Sequence, residues 1–173
     1  MPELWDVLDK HGNKTGRLHE RGKPLAPGDY MLIVHVWKHN GRGQWLIDKR
    51  APRGYGHMDG KWETTGGCAI AGDDSLTAAL RETKEELGIT LDPGKGTFYK
   101  RIPYENFFVD VWVFEHDCPI GDIVFQESET TAARWAAADE IRVMMAAGDF
   151  LVEGRQGPFY PYFDEMVAWV ERK

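Results

Sequence analysis

Residues 66–89 read GGCAIAGDDSLTAALRETKEELGI. Asp73 or Asp74 supplies an N-cap ahead of Ser75, and Gly88 stands where a helix ends in a left-handed residue. Between them Leu76, Ala79, Leu80, Thr83 and Leu87 recur at helical spacing, so at 3.6 residues per turn they share one stripe, expected to face the core. By the same geometry Glu82, Glu85 and Glu86 fall within about 100° of each other on the opposite side, with Arg81 flanking Glu85. A solvated helix face would interleave Lys or Arg at i+4. Here Glu82 and Glu86 form a like-charge pair costing roughly 0.2–0.5 kcal/mol unless a cation offsets it. A hard divalent ion with oxygen ligands is one such cation.

Strands surround this helix. YMLIVHVWKH is β-branched and aromatic, and NGRG turns it back into QWLIDKR as a hairpin. APRGYGHMDG follows as a glycine-rich loop and KWETTGGCAI as a broken strand. GTFYKRIPYENFFVDVWVFEHD supplies one or two strands, alternating at Phe107, Val109, Val111 and Val113, and AARWAAA reads as a last strand. ADEIRVMMAAG and YPYFDEMVAWVERK are helical by apolar spacing, and LWDVLDKHGNKTGRLHERG reads as an N-terminal hairpin. Interleaved strands and helices with tight hairpins predict an α/β (α+β) domain with a mixed sheet, unlike a parallel doubly wound one.

Composition bounds the function. The 173 residues suit a single domain over 1–173, and 42% hydrophobic with 28% charged residues is ordinary globular usage. Two cysteines, Cys68 and Cys118, form no CxxC pair and no secreted staple pattern, so a cytoplasmic setting is expected. No apolar run is long enough to span a membrane. A net charge of −7 argues against a broad nucleic-acid-binding face, although Lys49, Arg50 and Arg53 could hold phosphates locally.

The stretch 67–89 resembles the Nudix box, G-x5-E-x7-R-E-U-x-E-E-x-G-U, where U is bulky and aliphatic. Gly67 takes the first position, Asp73 the first Glu, Arg81 and Glu82 the R-E pair, Glu85 and Glu86 the E-E pair, then Gly88 and Ile89. Every spacing matches. Thr83 replaces an aliphatic residue, and Asp73 is one methylene shorter than Glu, which predicts a weakened brace to Arg81.

The resemblance implies the Nudix fold, a mixed sheet sandwiched between helices, here with residues 1–28 as an N-terminal β-hairpin extension. It also implies hydrolysis of a diphosphate bond in a nucleoside diphosphate derivative or related organic diphosphate by water attack at phosphorus. Glu82, Glu85 and Glu86 would hold Mg²⁺, or Mn²⁺ in its place, with the Gly66 carbonyl as a further ligand. Arg81 would brace the helix. Glu85 is one general base to consider, and Glu127 and Glu129 in FQESET are others. Lys49, Arg50, Arg53 and Lys61 would meet the phosphates. Trp45, Trp62, Tyr104 and Phe107 could stack on a base, but strand-spaced aromatics read first as core, as does His35, with Cys68 a packed thiol. The partner expected is a small diphosphate, and a homodimer is compatible with the sequence.

Two rival functions stand beside this one. The N-terminal segment and LIDKRA also resemble the isopentenyl diphosphate isomerase branch of the superfamily. In that branch a catalytic Cys falls near Gly67 and histidines bind metal. Here Cys68 lies one place on, Ala69 and Ile70 offer no His, and His19 stands near one expected His, with Tyr30 and Met31 near the other. A non-catalytic nucleotide-binding module is the third reading, yet such domains usually lose box acids, and none of Arg81, Glu82, Glu85 or Glu86 is lost.

Overall fold

The computed structural model describes residues 1–173. The strands are β1 (Leu4–Leu8), β2 (Lys14–Glu20), β3 (Met31–His39), β4 (Gln44–Arg50), β5 (Trp62–Glu63) and β6 (Thr65–Cys68) before the helix α1 (Ser75–Leu87). Then follow β7 (Gly96–Pro103), β8 (Phe107–Glu115), β9 (Thr130–Ala137), α2 (Ala138–Ala147), the short β10 (Glu153–Gly154) and β11 (Gly157–Pro158), and α3 (Phe163–Glu171).

A mixed seven-stranded sheet forms the centre, in the order β5-β4-β3-β8-β7, with β6 also on β3 and β9 on β4. Only β3 and β8 run parallel. The β3–β4 turn is locked by Asn40, whose Oδ1 accepts from Arg42 N at 2.9 Å and Gln44 N at 3.2 Å. The two strands pair only at His39 and Trp45. They then diverge, and β6 takes the vacated edge of β3 from Ile33 to Val36.

Strand alternation divides the core in two. Val34 and Val36 of β3 and Leu46 of β4 pack on Ala78, Ala79 and Leu87 of α1. On the other face Trp37, Ile47 and Val111 pack on Ile141 of α2 and on Phe163, Met166 and Val167 of α3. The sheet is therefore sandwiched between helices. Trp45 belongs to this second core, which settles it as a packing residue.

Both ends of α1 follow the sequence signals. Asp74, not Asp73, is the N-cap, its Oδ1 accepting from Thr77 N at 2.7 Å, and Gly88 closes the helix at φ 68°. The buried residues, however, are Ala78, Ala79, Thr83, Glu86 and Leu87, so Glu86 lies on the core side and not opposite it. Leu76 and Leu80 are only half-buried.

The hairpin β1–β2 forms its own two-stranded sheet and docks on the loop that leads into α1. Ala71 N donates to Leu4 O at 2.8 Å, Gly72 N to Asp6 Oδ2 at 2.9 Å, and Lys14 Nζ to Asp73 O at 2.9 Å. No helix is long and apolar enough to cross a membrane.

Candidate active site

Arg81 joins the loop, β6 and α1 at one point. Its Nε and Nη2 both donate to Asp73 Oδ2, at 3.0 and 2.9 Å, and Nη2 also donates to Cys68 O at 3.0 Å. Nη1 reaches Glu82 Oε1 at 3.1 Å and Glu85 Oε2 at 3.2 Å. The weakened brace expected of the shorter Asp73 is not what forms. The loop folds tightly enough to make up the missing methylene, with Asp73 N donating to Ile70 O at 3.0 Å and Ile70 N to Asp73 Oδ2 at 3.2 Å.

Around Arg81 opens a strongly polar cavity of about 240 Å³. Glu82, Glu85 and Glu86 line it, with Glu63 from β5, Glu129 from the 126–129 turn, and Arg50 and Arg53 from the end of β4 and the loop beyond. Glu82 is largely covered, and burial pushes its carboxyl up to about 7, with Arg81 opposing and Glu85 and Glu3 adding. Glu86 is 8% exposed and its Oε2 has no hydrogen-bond partner. Burial first, then Asp48, Glu63 and Glu82, hold it well above the usual carboxylate range.

A buried polar layer underlies these acids. Lys38 is 0% exposed and donates to Thr65 Oγ1 at 2.6 Å, and Thr65 Oγ1 lies 3.4 Å from Asp48 Oδ2. Burial lowers Lys38 to about 8, against the pull of Asp48, Glu86 and Glu63. Burial likewise raises Asp48 and Glu63, although Arg50 pairs with Glu63 at 2.8 Å. The sequence signal for Lys38 is a charge on the α1-facing parity of a strand otherwise apolar on that face, whereas Asp48 shares its face of β4 with Gln44 and Arg50 and carries no such signal. For Glu63 there is only its nearness to the box.

The four cations expected at the phosphates separate. Arg50 and Arg53 line the acidic cavity, Arg53 in an ion pair with Glu129. Lys49 and Lys61 do not, because alternation turns Lys49 to the opposite face of β4 from Arg50. Those two lysines line a separate concavity with Trp62 and Arg134, and Lys61 Nζ donates to Gly148 O at the end of α2. Trp62 carries the Arg134 guanidinium 5.7 Å from its ring centroid. Glu127 is exposed and outside the acidic cavity, whereas Glu129 is within it. The hairpin contributes two further lining residues, Glu3 and Arg21, which no motif announced.

Both glycines of β6 have steric reasons. A Cβ on Gly67 would overlap the Glu82 carboxyl group. At Gly66 it would stand 3.0 Å from Val34 O and 3.4 Å from the His35 ring. Ala69 N donates to Leu32 O, so Thr65, Gly67 and Ala69 exchange bonds with β3 and the Gly66 carbonyl points to the outer edge, as the Cys68 carbonyl does toward Arg81.

The donor set suits a hard divalent cation: clustered carboxylates, an outward backbone carbonyl and the unpartnered Glu86 Oε2. No three acidic, His or Cys side chains converge with ligating geometry as they stand, since Glu82 and Glu85 turn toward Arg81. Cys68 lines the same cavity, and burial pushes its thiol up to about 12. His19 stacks on Trp5 at 5.7 Å within the hairpin and does not line the cavity.

Residues 29–162 match the NUDIX domain family. An uncharacterized Nudix hydrolase of Listeria monocytogenes is 35% identical over 150 residues, covering 86% of this chain and 88% of that one. A Streptomyces griseus isopentenyl-diphosphate Delta-isomerase is 30% identical over 88 residues, 50% of this chain and 44% of its own. A crystal structure of a Deinococcus radiodurans protein superposes with TM-score 0.67 at 18% identity, covering 96% of this chain and 98% of that one, a likeness of fold.

Proposed function

The chain belongs to the Nudix hydrolase family, and on that premise we propose that it cleaves the diphosphate bond of a nucleoside diphosphate derivative in a Mg²⁺-dependent reaction. One observation carries the reading: Glu82, Glu85 and Glu86 of the box share a cavity with Arg50 and Arg53, which come from outside it. Acids in surplus attract a hard cation, and the arginine forks attract the phosphates that such a cation bridges.

Glu82, Glu85 and Glu86 would hold the cation, with the outward carbonyl of Gly66 as a further oxygen ligand. Mg²⁺, when bound, neutralises diphosphate charge and lowers the pKa of a coordinated water. Arg81 keeps α1 fixed against β6, so the carboxylates are presented from a rigid element. Arg50 and Arg53 orient the diphosphate. Glu85, the most exposed acid of the box, accepts the proton of the attacking water; it pairs with Arg81 as Glu129 does with Arg53, and its place within the box beside the other cation-holding acids selects it.

The test is phosphate or nucleotide release from a panel of nucleotides, nucleotide sugars, dinucleotides and isopentenyl diphosphate with Mg²⁺, run beside Glu85→Gln. Turnover lost in Glu85→Gln and on chelation is expected. Absence of turnover on every diphosphate, or an unimpaired Glu85→Gln protein, sinks the reading. Cys68 in the cavity wall favours one second reading, isomerisation of isopentenyl diphosphate. Formation of dimethylallyl diphosphate that disappears in Cys68→Ala would establish it instead.

A further inference from the structure

The N-terminal hairpin precedes residues 29–162, the segment that matches the NUDIX domain family, yet it delivers two side chains to the acidic cavity, Glu3 and Arg21. Main-chain bonds fix their place. Arg21 N donates to Glu3 O at 2.9 Å just beyond the β1–β2 ladder, and the next residue, Leu4, accepts from Ala71 N at 2.8 Å in the loop that leads to α1. At the other end of β1, Leu8 N donates to Tyr30 O at 2.8 Å and Tyr30 N to Leu8 O at 3.0 Å. The hairpin is therefore tied at both ends to the body that carries the box, and Arg21 reaches the cavity from a fixed base.

Four guanidinium groups line this cavity, and three of them are committed. Arg81 gives its donors to Asp73, Glu82, Glu85 and the Cys68 carbonyl. Arg50 pairs with Glu63 at 2.8 Å, and Arg53 pairs with Glu129. These three side chains are 21%, 14% and 23% exposed, so turning any of them toward a ligand would strand a covered carboxylate.

Arg21 differs on each count. Its side chain is 57% exposed. Its Nη1 lies 3.3 and 3.4 Å from the two oxygens of Glu3, long for a charge-assisted bond, which usually closes to about 2.7–2.9 Å. Nε and Nη2, the edge with which a guanidinium grips an oxyanion through two parallel bonds, donate to no group of the chain. Glu3 has a firmer partner in Trp5, whose Nε1 donates to Oε1 at 2.9 Å, and is itself 36% exposed. Arg21 can thus meet an incoming anion while Glu3 stays bonded and solvated. Arg17, on the same hairpin, shows the contrary case: it spends Nη1 and Nη2 on Asp29 at 2.8 and 2.7 Å and lies outside the cavity.

We propose that Arg21 is a third phosphate-binding arm of the site, its free Nε–Nη2 edge closing on a phosphoryl group of the substrate from the hairpin while Arg50 and Arg53 hold the diphosphate from the β4 end. The assignment rests on the diphosphate reading of the acidic cavity and is the same whichever organic group the diphosphate carries. It makes the hairpin part of the substrate site, which the box alone does not require.

The test combines calorimetry of methylenediphosphonate with Mg²⁺ and electron paramagnetic resonance of Mn²⁺ binding without the diphosphonate, both on the full chain. Arg21→Gln should weaken methylenediphosphonate roughly tenfold, the size of one charge-assisted contact, and Arg21→Lys, which keeps the charge but not the fork, should lose less. Mn²⁺ affinity should hold or rise in Arg21→Gln, because a cation has left the neighbourhood of the acids. Arg17→Gln removes the same charge from the same hairpin and should leave methylenediphosphonate affinity unchanged. Unchanged methylenediphosphonate affinity in Arg21→Gln overturns the assignment. So does an equal loss in Arg17→Gln, the mark of a general charge effect, or a parallel loss of Mn²⁺ binding in Arg21→Gln, the mark of a hairpin that only props the loop. Wild-type protein that binds Mn²⁺ but not methylenediphosphonate overturns the diphosphate reading and the Arg21 assignment together, whereas wild-type binding that is indifferent to Arg21 leaves the reading standing.

Discussion

Arg81 meets Asp73 through two nitrogens at once, Nε at 3.0 Å and Nη2 at 2.9 Å, both on Oδ2. The same guanidinium holds the Cys68 carbonyl, so one ion pair fixes the loop, β6 and α1 together. Asp73→Ala is expected to lower the unfolding free energy by about 2 kcal/mol, the usual loss for a largely buried charge-assisted bond. Asp73→Asn keeps an acceptor and should lose less. Urea unfolding of the two variants measures both, and an Asp73→Ala protein as stable as the wild type would refute the bracing role.

Gly67 gives a prediction in which activity and stability part company. Its backbone is not left-handed, so a side chain causes no strain there, but a Cβ would overlap the Glu82 carboxyl group. The obstacle is the end of a flexible side chain, which can swing aside at little cost. Gly67→Ala should therefore keep its stability within about 1 kcal/mol while its turnover falls at least tenfold as Glu82 is displaced. Thermal unfolding beside steady-state kinetics would show it, and normal turnover would mean that the place of Glu82 is immaterial.

Glu82 also sets a pH dependence in chelator-treated protein. Burial raises its folded pKa to about 7 from an ordinary value of 4.5, so the folded state binds the extra proton between those limits. Stability contributed by that proton is fully present below about 4.5 and is lost as pH rises through about 7. His35, lowered to about 3 by burial, has the opposite sign but is common to wild type and Glu82→Gln, so it cancels in their difference. The advantage of Glu82→Gln over wild type should grow between pH 5 and pH 7.5, roughly the range of that titration. Mg²⁺ should abolish the trend, since a bound cation favours the ionised carboxylate. A flat difference without metal would show that Glu82 is well solvated.

Periodicity and turn chemistry made most of the fold legible: the capped helix, the Asn40 turn and the alternating strands stand where their residues place them. The box spacing located the acids, and only a tertiary view showed what surrounds them. Lys49 and Arg50 are neighbours in sequence, yet pleating sends them to opposite faces. Glu86 is expected opposite the core stripe and is buried instead, because helical spacing gives relative angles and not which flank meets the sheet. Arg21 and Glu3 reach the cavity through docking of a separate hairpin, and no local pattern encodes that. His35 and Trp37 both meet the Tyr162 hydroxyl, more than a hundred residues distant in the chain, a pairing no local pattern announces.

The same limit applies to Lys38 and Asp48, which no motif singles out and which form the polar layer beneath the acids. Lys38 is fully buried, its ammonium on Thr65 Oγ1, and that hydroxyl is 3.4 Å from Asp48 Oδ2. Lys38 is the fully buried cation among Asp48, Glu63 and Glu86, with Arg50 paired to Glu63, and all three carboxyls are raised by burial. Removing one member of a buried charge set costs more than the set contributes, because the remaining charge stays desolvated. Lys38→Met should thus lose roughly 3 kcal/mol of stability, and Lys38→Met with Asp48→Asn should recover part of it. Urea unfolding of the two singles and the double closes the cycle. Additive losses would mean that Lys38 answers to Thr65 alone and that the acids above it do not sense its charge.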